Sequence, residues 1–450
     1  MRPVALKPVA WKPVVFSLFL LLFCGTALFS RDTRQPGLDL SGILGNGFAR
    51  YAAAQNAHAP GISFYTPPLL VPHLSGAPEI SATAAVLIDA ATGTVLYARN
   101  PGLEIPPASL TKVVAMHLVL NEVAGGRASM DEIVPIGIES WAQNQPPFSS
   151  LMFLEPGQTV TLRELMLGLA VPSGNDASVA VAMRFSPSVD EFTAEMTREM
   201  RRMGLTRTRF VEPSGISADN MTTAAEFTAF SREYLRRHPQ SLADFHSVRE
   251  FAFPTAANVR PAQRANPGTI VQEIRNTLLW TFPGVDGLKT GFIPASGFNV
   301  ALTAARDDTR FIATILGSTT AADRNRDGDL LLSWAFDNFR TVRLATPNVE
   351  PVRLWKGRER HVALRPAEPL EFTAPLGRID RDAPLWFAVE TDGPLVAPLP
   401  AFHPAGWLVL ADDTGEVHRV RLVTAREYGR GNIFRRAWGA IRLFFMRAGS

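Results

Sequence analysis

The chain has 450 residues, 46% apolar and 19% charged, with 33 Gly and 35 Pro, which is too apolar for disorder and too long for one small module. A single Cys excludes a disulfide framework and any multi-cysteine zinc site. The net charge of +3 is split between +4 on residues 1–34 and +6 on residues 421–450, which leaves −7 on the body and excludes a basic nucleic-acid groove there.

The chain opens with three cations (Arg2, Lys7, Lys12) followed by the apolar run Val14–Phe29. Such a positive segment before an apolar one reads as an export signal or N-terminal anchor over residues 1–30. The run of 16 residues is shorter than the roughly 20 needed to span a bilayer, so a cleaved signal is expected, with cleavage after Ala27. Cys24 follows Phe23, an unsuitable context for a lipoprotein acceptor, and reads as filler. Residues 31–80 are rich in Gly, Ala and Pro without sustained periodicity and read as a spacer.

From Ala84 the pattern sharpens. AAVLIDAATGTVLYARN reads as two apolar strands joined at Ala91-Thr92-Gly93. KVVAMHLVLNEV, from Lys112, reads as a buried helix, with further helices at Leu162–Ala170, Ala177–Phe185, Val189–Met203 and Ala224–Arg237. Strands resume at Gly297–Ala305 and Thr309–Leu316, and Leu330–Phe339 reads as a closing helix. Strands at both ends with helices between them predict an α+β domain over 81–342 whose terminal strands share a sheet. Short strands broken by Pro and Gly then predict a small all-β domain over 349–427.

The last segment, residues 431–450, reads as an amphipathic helix. Phe434, Ala437, Trp438, Ile441, Phe444 and Phe445 fall on one face, Arg436 and Arg447 opposite, and Arg435 and Arg442 at the margins. Trp, Phe and Arg together suit the surface of an anionic membrane, and the alternative is a helix packed on its own domain.

Lysine is scarce: of 45 basic residues only Lys7, Lys12, Lys112, Lys289 and Lys356 are Lys. Unlike Arg, a retained Lys can give up its proton. Lys112 belongs to Ser109-Leu110-Thr111-Lys112, where a Ser and a Lys three apart share a helix face. A serine hydroxyl is a poor nucleophile until a base takes its proton, and a Lys amine can do so if its surroundings depress its pKa. Ser173-Gly174-Asn175 could supply a proton-relaying hydroxyl and an amide to hold a backbone. Lys289-Thr290-Gly291 lies beside a predicted strand, where a cation and a hydroxyl could meet the carboxylate of an extended peptide added to the sheet edge. Each motif alone is ordinarily a cap or a turn. All three, once each and in this order, form the pattern S-x-x-K, S-x-N, K-T-G.

That pattern, with the flanking AAVLIDAATGTVLYARNPGLEIPPASLTKV, SSLMFLEPGQTVTLRELMLGLAVPSGNDASVAVA and NTLLWTFPGVDGLKTGFIPASGFNVALTA, resembles the D-alanyl-D-alanine carboxypeptidases among the low-molecular-mass penicillin-binding proteins (serine peptidase family S11). The resemblance covers about 81–450. It implies a serine β-lactamase/transpeptidase-like fold, a helical cluster on a five-stranded antiparallel sheet, followed by a β-rich domain and a membrane-binding tail. It implies Ser109 as nucleophile, Lys112 as its base, and Ser173 and Asn175 on the opposite wall. Lys289, Thr290 and Arg324 would bind the substrate carboxylate, and the backbone N–H groups of Ser109 and Phe292 would form the oxyanion hole. The implied substrate is a peptidoglycan stem pentapeptide and the implied inhibitors are β-lactam antibiotics. No cofactor or metal is implied. The implied location is periplasmic, with peripheral attachment to the cytoplasmic membrane through 431–450.

The chain departs from the family in two places. About 50 extra residues precede the first hairpin, and RTRFVEPSGISADNMTTAAEF matches only loosely, so no site residue is drawn from it. Among rivals, a class A β-lactamase lacks its E-x-x-L-N signature here, Glu273-Ile-Arg-Asn276 being the nearest approach. A D,D-endopeptidase of the same fold shares all three motifs, and a catalytically idle wall-binding scaffold would have no need of them. No G-x-S-x-G supports a triad hydrolase, and His117, inside the apolar helix, reads as a core histidine.

Overall fold

A computed structural model describes residues 76–379 and 384–448. The expected export segment and nearly all of the expected spacer lie outside the described residues. The described chain forms two compact units: one runs to Leu344 and takes back a segment from Glu371, and the other holds Ala345–Leu370 and the chain after residue 382.

In the larger unit, β1 (Ala84–Asp89), β2 (Val95–Arg99), β3 (Val285–Ile293), β4 (Gly297–Arg306) and β5 (Thr309–Ser318) form one antiparallel sheet in the order β2-β1-β5-β4-β3. The terminal strands share a sheet because AAVLID pairs residue for residue with β5, Ala84 opposite Leu316 through Asp89 opposite Phe311. Both faces of these strands are covered. Every residue of β1 is buried, as are residues 311–316 of β5, which explains why they read as continuous apolar runs rather than alternating ones. The hairpin turn closes through the Asp89 carboxylate, which accepts from the Ala91 and Thr92 amides at 2.8 and 3.3 Å. The K-T-G strand, β3, is the sheet's edge, with β4 as its only partner in the order.

The helices are α1 (Thr111–Ala124), α2 (Leu162–Ala170), α3 (Asn175–Phe185), α4 (Val189–Arg202), α5 (Ala224–Arg237) and α6 (Ala321–Asn338). Their starts follow capping chemistry. Thr161 and Glu164 form a reciprocal capping box on α2, and Ser188, Thr223 and Thr320 accept from the third amide of α4, α5 and α6. The closing helix corrects the sequence reading. It starts at Ala321 rather than Leu330, because polar DRNRDGD, which read as a loop, is capped by Thr320. Gly328 lets this helix press on the sheet: a Cβ there would stand 2.7 Å from Leu302 Cδ1.

The smaller unit carries a four-stranded sheet of β6 (Leu364–Pro366), β7 (Trp386–Thr391), β8 (Pro404–Asp412) and β9 (Gly415–Thr424), ordered β6-β9-β8-β7. The predicted DDTG turn joins β8 to β9. Helix α7 (Ile433–Ala448) follows, its first turn capped by the Asn432 side chain, which accepts from the Arg435 amide at 3.0 Å. Phe434, Trp438, Ile441, Phe444 and Phe445 are all at least half exposed. No helix among the described residues is long and apolar enough to cross a membrane.

Candidate active site

Ser109 occupies a single 3₁₀ turn, Ala108–Leu110, that runs directly into α1. Ala108 has φ +52°, a left-handed conformation that a residue with a Cβ adopts only where its surroundings impose it. Those surroundings are two glycines. A Cβ on Gly215 (φ +84°) would stand 1.9 Å from the Ala108 carbonyl oxygen, and one on Gly291 would stand 2.9 Å from the Ser109 nitrogen. The turn is therefore held between the loop at 215 and strand β3, and Asn299 of β4 ties down its approach by donating to the Pro106 carbonyl at 3.0 Å.

One turn on, Lys112 is completely buried. Its Nζ donates to Ser109 Oγ at 3.1 Å, to Asn175 Oδ1 at 2.8 Å and to the Ser214 carbonyl at 2.6 Å. Burial pushes its pKa down to about 7; Glu212 and Asp176 act upward and Arg275 downward. A lysine so held is partly a free amine at neutral pH and lies within hydrogen-bond reach of a serine hydroxyl.

Asn175 opens α3, and its Nδ2 donates to Ser149 Oγ at 3.1 Å. The neighbouring Asp176 fixes the 150s segment by accepting from the Met152 and Leu154 amides at 2.8 and 3.0 Å, and burial pushes its pKa up. Ser173, two residues before Asn175, also has a left-handed backbone (φ +64°), and its buried Oγ has no hydrogen-bond partner among the described residues.

The third motif lies on the edge strand. Lys289 and Thr290 are buried, and among the described residues Lys289 Nζ reaches only the Thr290 carbonyl, at 3.3 Å. Burial and then the charges of Lys112, Arg275 and Arg324 push its pKa well down. Arg324, in the first turns of α6, is lowered to about 10 by burial and by Arg275. Its guanidinium donates to the Asn325 side chain at 2.9 Å and to the Arg275 carbonyl at 3.4 Å. Buried Lys289 and Arg324 thus lie within electrostatic reach of Arg275, which is itself exposed. Phe292, whose amide is expected in the oxyanion hole, is half exposed, and its ring packs against Phe298 with centroids 4.3 Å apart, tilted by 32°.

Ser109, Lys112 and Asn175 are therefore bonded together directly. Gly291 brings the K-T-G strand against Ser109, and Arg324 acts on Lys289. Sequence reasoning missed Arg275, Asp176, Glu212, Ser214 and Gly215. Arg275 stands inside the Glu273–Asn276 stretch that was weighed only as a failed β-lactamase signature. The last three belong to the loosely matching segment, which supplies the carbonyl that holds Lys112. His117 is a buried core residue, within 3.1 Å of both Glu199 and His238. Among the described residues, no group of three or more His, Cys, Asp or Glu side chains is arranged to hold a metal ion.

Residues 72–320 match the family model described as D-alanyl-D-alanine carboxypeptidase. The carboxypeptidase DacC of Escherichia coli (strain K12) is 30% identical over 375 residues, 82% of this chain and 90% of that protein. DacD of the same organism is 32% identical over 373 residues, 81% of this chain and 92% of that protein. Among solved structures, penicillin binding protein 5 from Haemophilus influenzae aligns with a TM-score of 0.71 at 30% identity, over 78% of this chain and 99% of that one.

Fold and relatives together define a serine-type peptidase of the penicillin-binding-protein fold. The chain belongs to the D-alanyl-D-alanine carboxypeptidase family and is a serine-type D-Ala-D-Ala carboxypeptidase. The endopeptidase reading is not favoured: the D-alanyl-D-alanine endopeptidase of Pseudomonas aeruginosa matches 35% of this chain and 49% of that protein. Nor is an idle scaffold, since the family model and the relatives above are named as carboxypeptidases.

Proposed function

We propose that Ser109 is acylated by the terminal D-Ala-D-Ala unit of a peptidoglycan stem pentapeptide and that Lys112 is its general base. The observation that carries this is the 3.1 Å contact between Lys112 Nζ and Ser109 Oγ, made by a buried amine whose pKa lies near 7. The free amine takes the hydroxyl proton as Oγ attacks the carbonyl between the two D-Ala residues. The amide N–H groups of Ser109 and Phe292 receive the negative charge that develops on the carbonyl oxygen. The C–N bond then breaks, and the proton passes through Ser173 to the departing amine of D-Ala. Water, deprotonated by the same lysine, attacks the ester and releases the shortened peptide, and Ser109 regains its proton.

Binding follows from the edge strand. A peptide laid along β3 is bonded through its backbone, Asn175 grips it from the other wall, and its C-terminal carboxylate meets Lys289, Thr290 and Arg324. A penicillin presents a strained carbonyl and a carboxylate in similar positions, so it acylates Ser109 in the same way. The test is incubation of the full chain with pentapeptide and with labelled penicillin. D-Ala release and label on Ser109 are expected, both absent in Ser109→Ala. A Ser109→Ala protein that still takes the label rules the assignment out.

The enzyme works in the periplasm, held at the cytoplasmic membrane by residues 431–450. The exposed apolar side chains of α7 support this, as does Arg442 stacked 5.2 Å over Trp438. Deleting 431–450 is expected to move the processed protein from the membrane fraction to the soluble one. Retention in the membrane fraction would transfer the anchoring role to the N-terminal segment.

A further inference from the structure

Residues 212–217 form a turn with a carboxylate at its centre. Glu212 accepts from the Ser214 amide at 2.7 Å, the Ser214 hydroxyl at 2.5 Å, the Gly215 amide at 2.7 Å and the Ser217 amide at 3.2 Å. Asn220 adds a further donor at 2.9 Å, and the same amide group reaches the Thr111 hydroxyl at 3.4 Å. No salt bridge to Glu212 occurs among the described residues, and its carboxylate is held by these donors. Two residues of this turn touch the reacting groups. The Ser214 carbonyl accepts from Lys112 Nζ, and Gly215 lies against the carbonyl of Ala108, the residue before the nucleophile.

We propose that Glu212 is a positioning residue for the acylation step: the turn it folds holds Lys112 against Ser109, and its negative charge acts on Lys112 across that turn. This rests on the reading of Lys112 as the base. The charged groups acting on Lys112 are Glu212, Asp176 and Arg275, with Lys289 a further cation within electrostatic reach. Asp176 is engaged by backbone amides of the 150s segment, which leaves Glu212 as the carboxylate whose loop bonds the lysine directly. Taking away the Glu212 charge removes an interaction that favours the ammonium form, so the free amine persists to lower pH. Taking away its acceptor oxygens loosens the Ser214 carbonyl, so fewer molecules hold the amine in line at any pH.

The experiment is the rate of Ser109 acylation by labelled penicillin as a function of pH, measured on the full chain for the wild type, Glu212→Gln and Glu212→Asp. Glu212→Gln is expected to move the acid midpoint down by about one pH unit and to lower the plateau about tenfold. Glu212→Asp keeps the charge on a shorter stem and is expected to keep the wild-type midpoint while lowering the plateau. A plateau that falls in Glu212→Gln with no movement of the midpoint reveals a loop anchor and overturns the proposal. If Glu212→Gln does not fold, Glu212→Asp decides: an unchanged plateau overturns the proposal and a lowered one at constant midpoint supports it. A wild-type protein that is not labelled at Ser109 removes the underlying reading of Lys112. A labelled wild type whose midpoint Glu212→Gln leaves in place removes only the role of Glu212.

Discussion

The helix wall and the strand wall of the site each bury one lysine, and the two environments differ in the sign of what surrounds them. Around Lys112 stand two carboxylates and one guanidinium, together with three oxygen acceptors within 3.1 Å. Among the described residues the charges acting on Lys289 are those of Lys112, Arg275 and Arg324, all positive, and its amine reaches the Thr290 carbonyl. The first environment suits a base that changes hands with a proton near neutrality. The second disfavours the ammonium form. Burial lowers both lysines, and the charges beside them differ in sign.

That contrast can be broken at several points. Lys112→Ala is expected to lower acylation by at least about ten-thousandfold, since the serine is left without a base; the labelled-penicillin rate measures it. Lys289→Gln is expected to cost about a hundredfold in kcat/KM on a substrate with a free carboxylate, the ordinary worth of a charge-assisted contact.

A pH profile sharpens the first environment. Lys112 must be unprotonated to act, so the acylation rate is expected to fall about tenfold per unit below an acid midpoint near 7. Gly215→Ala is expected to slow acylation about tenfold with the fold intact, because the new Cβ displaces the Ala108 carbonyl beneath Ser109. The smallest effect is on stability. Burial lowers Lys112 from 10.5 to about 7, so between those values the unfolded chain holds the extra proton and stability rises with pH. The melting temperature of the wild type relative to Lys112→Met is therefore expected to climb by a few degrees from pH 7 to 10 and to stay level below 7.

Much of this architecture was legible beforehand, and the reasons are local. AAVLID is buried throughout, and TRFIATIL and the apolar run after Lys112 are mostly buried and carry no competing signal. Ser109 and Lys112 meet because a three-residue separation at a helix start leaves few other outcomes. The onset of the last catalytic-unit helix was missed because its first turns are polar, and only the Thr320 cap distinguishes DRNRDGD from a loop. Glu212, Ser214 and Arg275 were beyond reach for a different reason. Ser214 holds Lys112 through a backbone carbonyl, which has no residue signature, and Arg275 acts through space from a separate segment. Chemistry carried by side chains in fixed motifs can be read along a chain; chemistry carried by backbone atoms and distant charges needs the fold.

The most direct test sets two peptides against two variants. One peptide ends in D-Ala-D-Ala with its free carboxylate and the other is the same peptide with a C-terminal amide, and kcat/KM is measured for the wild type, Lys112→Gln and Lys289→Gln. If the lysines divide the work as their surroundings imply, Lys289→Gln collapses the preference for the free carboxylate. Lys112→Gln then lowers both substrates by the same large factor and leaves the preference as it was. A Lys289→Gln enzyme that keeps the wild-type preference, or a Lys112→Gln enzyme that loses it, would contradict that division.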